Sequence, residues 1–287
     1  MDNFASEKPL VSVITRTKNR SKYLRRCFDS ISSQIFVKFE WIIVVDGLAD
    51  PDTKILLSQI KNSRLETQIV ENHSPRGMEA ASNIGVSYSK CKYITFLDDD
   101  DTWDSKFLEK SISFLQKNNQ YKGVVCQTSI IEEVEKNNRF YEKSRYVFNP
   151  DLISIGINQL CKGNIFTNNS FVFEKSIFDE IGKFDEELIV KGDWDFNLRF
   201  IEKYDIGVIS EVLSFWHHHF NNSIFSSNSI HSLKKEHQVF DDIIRNKYFR
   251  RDLDSGLMSI GYLLVANKSQ NVFRSKKNLI QRLLGWL

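Results

Sequence analysis

A doubly wound α/β sheet is the fold this sequence predicts, and three observations carry the prediction. Short apolar runs alternate with amphipathic stretches through the first half of the chain. The connections between them are short. The central runs are apolar at consecutive positions, as expected of strands buried on both faces of a parallel sheet.

The elements follow in order. Leu10–Thr15 (LVSVIT) is a β-branched run suited to a buried strand. Asn19 or Ser21 can cap the next element, in which Leu24, Cys27, Phe28 and Ile31 fall at i, i+3, i+4 and i+7 of one helical stripe. Trp41–Val45 (WIIVV) is a central strand that stops at the Asp46-Gly47 turn. Asp52–Lys61 forms a helix, and Thr67–Val70 a third strand. Gly77–Ser89 carries Ala80, Ala81, Ile84 and Tyr88 at helical spacing. Tyr93–Leu97 (YITFL) is again a buried strand, ending in four consecutive aspartates, Asp98–Asp101. Ser105–Lys117 is helical with Phe107, Leu108, Ile112 and Leu115 inward, and Gly123–Gln127 is strand. From about Arg139 the alternation weakens. Phe171–Phe173 and Val208–Phe215 still predict strands, and Asp193–Tyr204 (DWDFNLRFIEKY) a helix.

No Pro/Gly-rich linker interrupts the chain, so residues 1–225 are expected to form one catalytic-size unit and residues 226–287 a helical C-terminal extension. Residues 228–287 hold 11 Lys/Arg against 5 Asp/Glu, which makes this tail basic and the remainder acidic. Its end, FRSKKNLIQRLLGWL, puts Leu279, Ile280, Leu283, Leu284 and Leu287 on one face with basic residues around them. Such a stripe suits an anionic membrane surface. It suits equally a helix packed on the rest of the chain or on a second subunit, as in a homodimer.

Composition narrows the class. With 287 residues, 41% hydrophobic and 26% charged, the chain is globular and not a disordered or fibrous protein. Lys plus Arg number 39 and Asp plus Glu 37, a net charge of +2 that supplies no general attraction to nucleic acid. Cys27, Cys91, Cys126 and Cys161 are far apart, so neither a disulfide framework nor a zinc ribbon is expected and a reducing compartment fits. The opening MDNFASEKPL lacks the basic and apolar regions of a secretion signal, and no apolar run reaches the roughly 18 residues of a membrane-spanning helix. The expected location is the cytoplasm, with peripheral contact at the inner face of the plasma membrane through the C-terminal stripe.

In a doubly wound sheet, ligands bind beyond the carboxyl ends of the strands. The residues found there are Arg16–Arg20, Asp46-Gly47, His73–Met78 and Asp98–Asp101. Four adjacent carboxylates disfavour one another's ionisation, and a hard divalent cation relieves that repulsion. If the chain stays extended, Asp98 and Asp100 share a side. The bland alternative is a solvated turn in which Asp101 or Asp104 caps the next helix. A second pair, Asp193 and Asp195, flanks Trp194 at a helix start, where N-capping competes with a general-base role. His217, His218 and His219 end the VLSFW strand. Alternation sends His217 and His219 to one face, where a metal ligand competes with a polar strand end.

Together these segments resemble the family 2 glycosyltransferases of GT-A fold over roughly residues 9–225. VSVITRTKNR is similar to the opening nucleotide-binding strand and loop, and WIIVVDG to the second strand with its base-contacting Asp. RGMEAASNIG is similar to the Gly-rich segment, and YITFLDDDDTW to the strand bearing the DxD motif. IGKFDEEL with GDWDFNLRF resembles the acceptor-side segment and base-bearing helix, and WHHHFNNS the late His loop.

The resemblance implies a Rossmann-like, mostly parallel sheet flanked by helices and an inverting, metal-dependent transfer from a nucleotide diphospho-sugar, UDP-linked by family frequency. It implies a glycan or lipid-linked acceptor in surface-polysaccharide assembly. Thr15, Arg16 and Thr17 would line the nucleotide pocket, with Asp46 on the base and Arg76 on phosphate. Asp98 would lie near the ribose beside Asp99, and Asp100 and His219 would hold Mn2+ or Mg2+. Asp193 would be the general base.

There are departures. Lys18 stands where many members carry a base-stacking aromatic, and Gly192 stands where many carry Glu. The basic QxxRW segment of processive synthases is absent, which favours addition of a single sugar. Two rivals remain. A metal-dependent nucleotidyltransferase would want glycines in TRTKNR. A non-catalytic carbohydrate-binding module would not need Asp98, Asp100 and Asp193 together.

Overall fold

Nine strands among the described residues join in one sheet around which the chain winds. The computed structural model describes residues 8–137, 139–219 and 233–268. The strands are β1 (Val11–Thr17), β2 (Phe39–Asp46), β3 (Thr67–Asn72), β4 (Tyr93–Phe96), β5 (Thr102–Trp103), β6 (Gly123–Lys136), β7 (Arg139–Phe148), β8 (Phe171–Glu174) and β9 (Ile206–His219). The helices are α1 (Ser21–Ser32), α2 (Pro51–Lys61), α3 (Met78–Tyr88), α4 (Phe107–Lys117), α5 (Ile157–Leu160), α6 (Lys175–Ile181), α7 (Gly192–Ile201) and α8 (Lys234–Ser255). Residues 260–268 are also helical.

The sheet order is β3-β2-β1-β4-β8-β6-β9-β5, with β7 added on β6. β3, β2, β1 and β4 are mutually parallel. β8 runs antiparallel between β4 and β6, and β6 pairs β9 in parallel. The expected α/β architecture is therefore present, parallel through its first four strands and mixed beyond them. The order reverses between β1 and β4, which makes the carboxyl ends of those strands the switch point where a crevice opens.

Side-chain alternation explains why the central strands are apolar throughout. Ile42 and Val44 of β2 enter one core with α3, α6, α7 and α8. Trp41, Ile43 and Val45 enter the other with α1, α2 and α4. Gly85 lets α3 lie directly on β1, since a Cβ there would stand 2.4 Å from Ile14 Cγ2. That contact brings the start of α3 to the tip of β1.

The second half departs from expectation in particular ways. β6 and β9 run 14 residues each, well past the segments predicted. β7 was not predicted at all. Its RFYEKSRYVF sequence is mostly exposed, and the charges that hide its strand character are those expected on an unpaired edge. α8 is not a free appendage. Its Ile244 and Tyr248 join the same core as α7, and Arg245 donates to the carbonyls of Cys161 (3.0 Å) and Leu264. The apolar stripe from Leu279 to Leu287 and the expected boundary at 225/226 lie outside the described residues. No helix of the described residues is long and apolar enough to cross a membrane.

Candidate active site

A cleft of about 950 Å3 opens at the carboxyl ends of β1 and β4. Its sheet-side wall begins at the tip of β1. Trp41, fully buried in β2, donates Nε1–H to Thr15 Oγ1 at 2.9 Å. The Thr15 hydroxyl is thus committed to the core beside Cys27 and does not line the cleft, contrary to the sequence expectation. Arg16 and Thr17 do line it. Arg16 Nε donates to Asp98 Oδ1 (2.8 Å) and its Nη1 to Ser82 Oγ (3.1 Å). Thr17 Oγ1 donates to Asp99 Oδ2 at 2.7 Å.

The four aspartates after β4 hold separate positions. Arg20 pairs with Asp99 Oδ1 (3.1 Å) and Asp100 Oδ2 (2.6 Å). Asp101 accepts from Asn169 Nδ2 (2.7 Å) and the His217 amide (3.0 Å), which ties the tip to β9. Arg26 holds the Asp100 carbonyl at 2.6 Å while forking onto Glu133 at 3.0 and 2.8 Å. Burial opposes ionisation of Asp100, but the Arg20 guanidinium and His219 outweigh it and hold this carboxyl below the ordinary range. Burial pushes Asp101 well above that range, with Asp100 adding to the push. One low neighbour and one high neighbour is how close carboxylates share charge.

At the outer end, Asp46 lines the cleft and accepts from Asn72 Nδ2 at 2.8 Å. Arg76 lines the mouth, largely exposed, and reaches Glu186 Oε2 at 3.1 Å.

The opposite wall comes from β7, β9, the segment around Asn164–Asn169, and α7. Phe148, Phe166 and Trp216 make it apolar. Lys191, in the left-handed region at φ +66°, turns the chain into α7 and presents Asp193. Asp193 Oδ2 accepts from Asn164 Nδ2 (2.7 Å) and Oδ1 from the Trp194 amide (2.8 Å). Asn164 is itself set by Asn197 Nδ2 at 3.1 Å. Burial raises the Asp193 carboxyl above its ordinary range, against the Trp194 amide, Arg16 and Lys191. Asp195 faces the other way, fully buried against Arg199 (3.0 Å) and Lys247 (3.3 Å).

His217 and His219 share a face as alternation requires, their rings stacked 6.4 Å apart. That face meets Glu133, at 2.8 Å from His217 Nδ1 and 3.5 Å from His219 Nδ1. His219 Nε2 lies 3.4 Å from Arg26, and its ring packs against both Tyr23 and Phe140. The described residues that line the cleft do not include His219, the residue expected to share a metal with Asp100. Its contacts are those of a brace behind the aspartate tip.

The donor set can be tested against a divalent cation. Among the described residues no three His, Cys, Asp or Glu side chains converge into a closed metal cage. Asp98 and Asp100 both line the cleft, as oxygen donors of the hard kind Mg2+ and Mn2+ take. One or two carboxylates fit a cation that shares its remaining positions with phosphate oxygens and water. They do not fit a resident structural metal.

Sequence reasoning placed Arg20 at the ligand end without giving it a role, and gave none to Glu79 or Asn164. Each lines the cleft, and each is a single polar residue whose contacts come from segments distant in sequence. Only Arg20 carried a signal, as the last basic residue of the β1 loop.

A mostly parallel sheet of this order with a cleft at its switch point is the GT-A architecture, and solved structures agree on the fold. S. aureus TarS 1–349 in complex with UDP-GlcNAc superposes with a TM-score of 0.59 at 17% identity, covering 76% of this chain and 61% of that one. The mannosyltransferase PcManGT of Pyrobaculum calidifontis, in complex with GDP-Man and Mn2+, gives a TM-score of 0.57 at 14% identity, covering 96% and 84%. The chain belongs to glycosyl transferase family 2, whose signature matches residues 12–182. An uncharacterised glycosyltransferase of Methanocaldococcus jannaschii is 27% identical over 209 residues, 72% of this chain and 70% of that protein. The UDP-Glc:α-D-GlcNAc-diphosphoundecaprenol β-1,3-glucosyltransferase WfgD of Escherichia coli is 24% identical over 241 residues, 84% and 89%.

Proposed function

We propose that this family 2 glycosyltransferase moves one sugar, with inversion, from a UDP-linked donor to a hydroxyl of a glycan or lipid-linked acceptor in surface-polysaccharide assembly. The observation that carries the reading is that Asp100 and Asp193, 93 positions apart, line one cleft from opposite walls. The coenzyme-like partners are the nucleotide sugar and a divalent cation. UDP is favoured because TarS binds UDP-GlcNAc and the E. coli relative takes UDP-Glc. The lipid-linked acceptor and a site of action at the inner membrane face follow from the diphosphoundecaprenol named for that relative.

The protein's own groups divide the work. Asp46, with its Oδ1 held by Asn72, presents a hydrogen-bond acceptor to an N–H of the base. Asp98 and Asp100 would hold Mn2+ or Mg2+, which when bound neutralises the charge of the departing diphosphate as a Lewis acid. Asp193, held by the Asn164 amide, accepts the proton of the attacking acceptor hydroxyl. Its raised affinity for a proton suits that task. The apolar Phe166 and Trp216 keep bulk water from competing with the acceptor.

A thermal-shift panel of UDP, GDP, TDP and CDP, each with manganese, tests the reading, because only a bound ligand stabilises the native state. Stabilisation by UDP above the others is expected, together with slow release of UDP from a UDP-sugar. No shift with any of the four, and no release, would remove the assignment.

A further inference from the structure

Glu79 is a further carboxyl of this cleft, and neither the resemblance nor the proposed mechanism gives it a role. It is 7% exposed, stands in the first turn of α3, and lines the cleft. No hydrogen bond joins its carboxyl to another side chain among the described residues, and Arg16 is the cation that acts on it most. A buried carboxyl that forgoes partners costs free energy unless something completes it.

Its surroundings say what that something is. The carboxyl lies over the first residue of α7, since a Cβ on Gly192 would fall 2.3 Å from Glu79 Oε1. That seat adjoins Asp193, the next residue of α7, and the charges of Arg16, Asp193 and Asp98 all act on the carboxyl. An anionic ligand group is disfavoured next to three carboxyls. A neutral, hydroxyl-bearing group is not, because a carboxyl bonds a hydroxyl in either protonation state. In the proposed mechanism the moiety between the aspartate tip and Asp193 is the sugar in transit.

We infer that Glu79 hydrogen-bonds a hydroxyl of the transferred sugar and so contributes to donor-sugar selection. This rests on the nucleotide-sugar reading above. Gly192 is part of the device, because any side chain there would displace the carboxyl from its seat. The two exchange space: the chain carries Glu on α3 and glycine opposite it on α7. Burial, with Asp193 adding, raises the Glu79 carboxyl to about 7 despite Arg16, so the group can donate as well as accept near neutrality.

The test compares the full-length wild type with Glu79→Gln and Glu79→Asp by titration calorimetry with manganese. The probes are UDP against UDP-glucose and UDP-N-acetylglucosamine, and GDP against GDP-mannose. A site built to bond a hydroxyl discriminates strongly against loss of that bond. Both variants are expected to bind the nucleoside diphosphate within about twofold of wild type, and to lose roughly tenfold for the sugar nucleotide that wild type prefers. A merely structural role would weaken the diphosphate and the sugar nucleotide alike, and that result overturns the inference. Unchanged sugar-nucleotide binding in both variants overturns it as well. Failure of the wild type to bind any nucleoside diphosphate would instead strike the underlying reading, and this inference with it.

Discussion

The two walls of the cleft use one residue type in opposite ways. On the sheet side, Asp100 is clamped by Arg20 at 2.6 Å and held in its ionised form. Across the cleft, Asp193 has an uncharged amide as its side-chain partner, and burial raises its proton affinity in spite of Arg16 and Lys191. Carboxylates whose surroundings drive them apart in this way take different chemical roles. The first is suited to hold positive charge, and the second to take up a proton. What separates them is the partner each side chain finds and not the local sequence, since both follow the same Asp-x-Asp spacing.

The largest effect on this contrast comes from removing the clamp. Arg20→Met leaves Asp99 and Asp100 buried without their counter-charge, and stability is expected to fall by about 3–5 kcal/mol in chemical denaturation. Manganese should restore part of that loss, because a cation replaces the missing charge. An unchanged midpoint would mean the aspartate tip does not depend on Arg20.

A smaller effect tests how the walls are spaced. Gly85→Ala forces a methyl group against Ile14, and overpacking of this kind costs about 1–3 kcal/mol. The start of α3 must shift with it, so UDP-sugar binding should weaken along with the melting temperature. Full stability in this variant would show that α3 adjusts without cost.

The smallest effect is a pH dependence. The Glu79 carboxyl is raised from the ordinary 4.5 to about 7. A carboxyl raised on folding contributes stability that is complete below its unfolded value and is lost as pH climbs through the folded value. Arg16 faces it favourably, and Asp98 and Asp193 unfavourably. Wild type should therefore weaken between about pH 5 and pH 8 relative to Glu79→Gln, by roughly 1–2 kcal/mol in denaturation midpoints at the two ends. Parallel curves would place Glu79 in a more open, ordinary setting.

Legibility in the sequence divides along the same line. β1 to β4 and α1 to α4 were readable because each of these segments carries its own apolar run or stripe. β7 was unreadable because edge strands hide under charge, and β6 and β9 outran their apolar segments. Among the cleft-lining residues, the aspartate tip and Asp193 could be found by position at a strand or helix end. Thr15 shows the limit of that method. The strand tip was right, but which side chains turn to the cleft depends on Trp41, 26 residues away. His219 shows the same limit. Alternation gave its face correctly, while Glu133 and Arg26, which occupy that face, are set by the β6–β9 register.

The most direct test sets the walls against each other in one experiment: manganese-dependent UDP binding and sugar transfer measured in Asp193→Asn and Asp100→Ala. Asp193→Asn should bind UDP as wild type does and lose on the order of 10²- to 10⁴-fold in transfer, while Asp100→Ala should lose the manganese dependence of UDP binding itself. Full transfer by Asp193→Asn, or unaltered manganese-dependent binding by Asp100→Ala, would contradict the division of labour between the two walls.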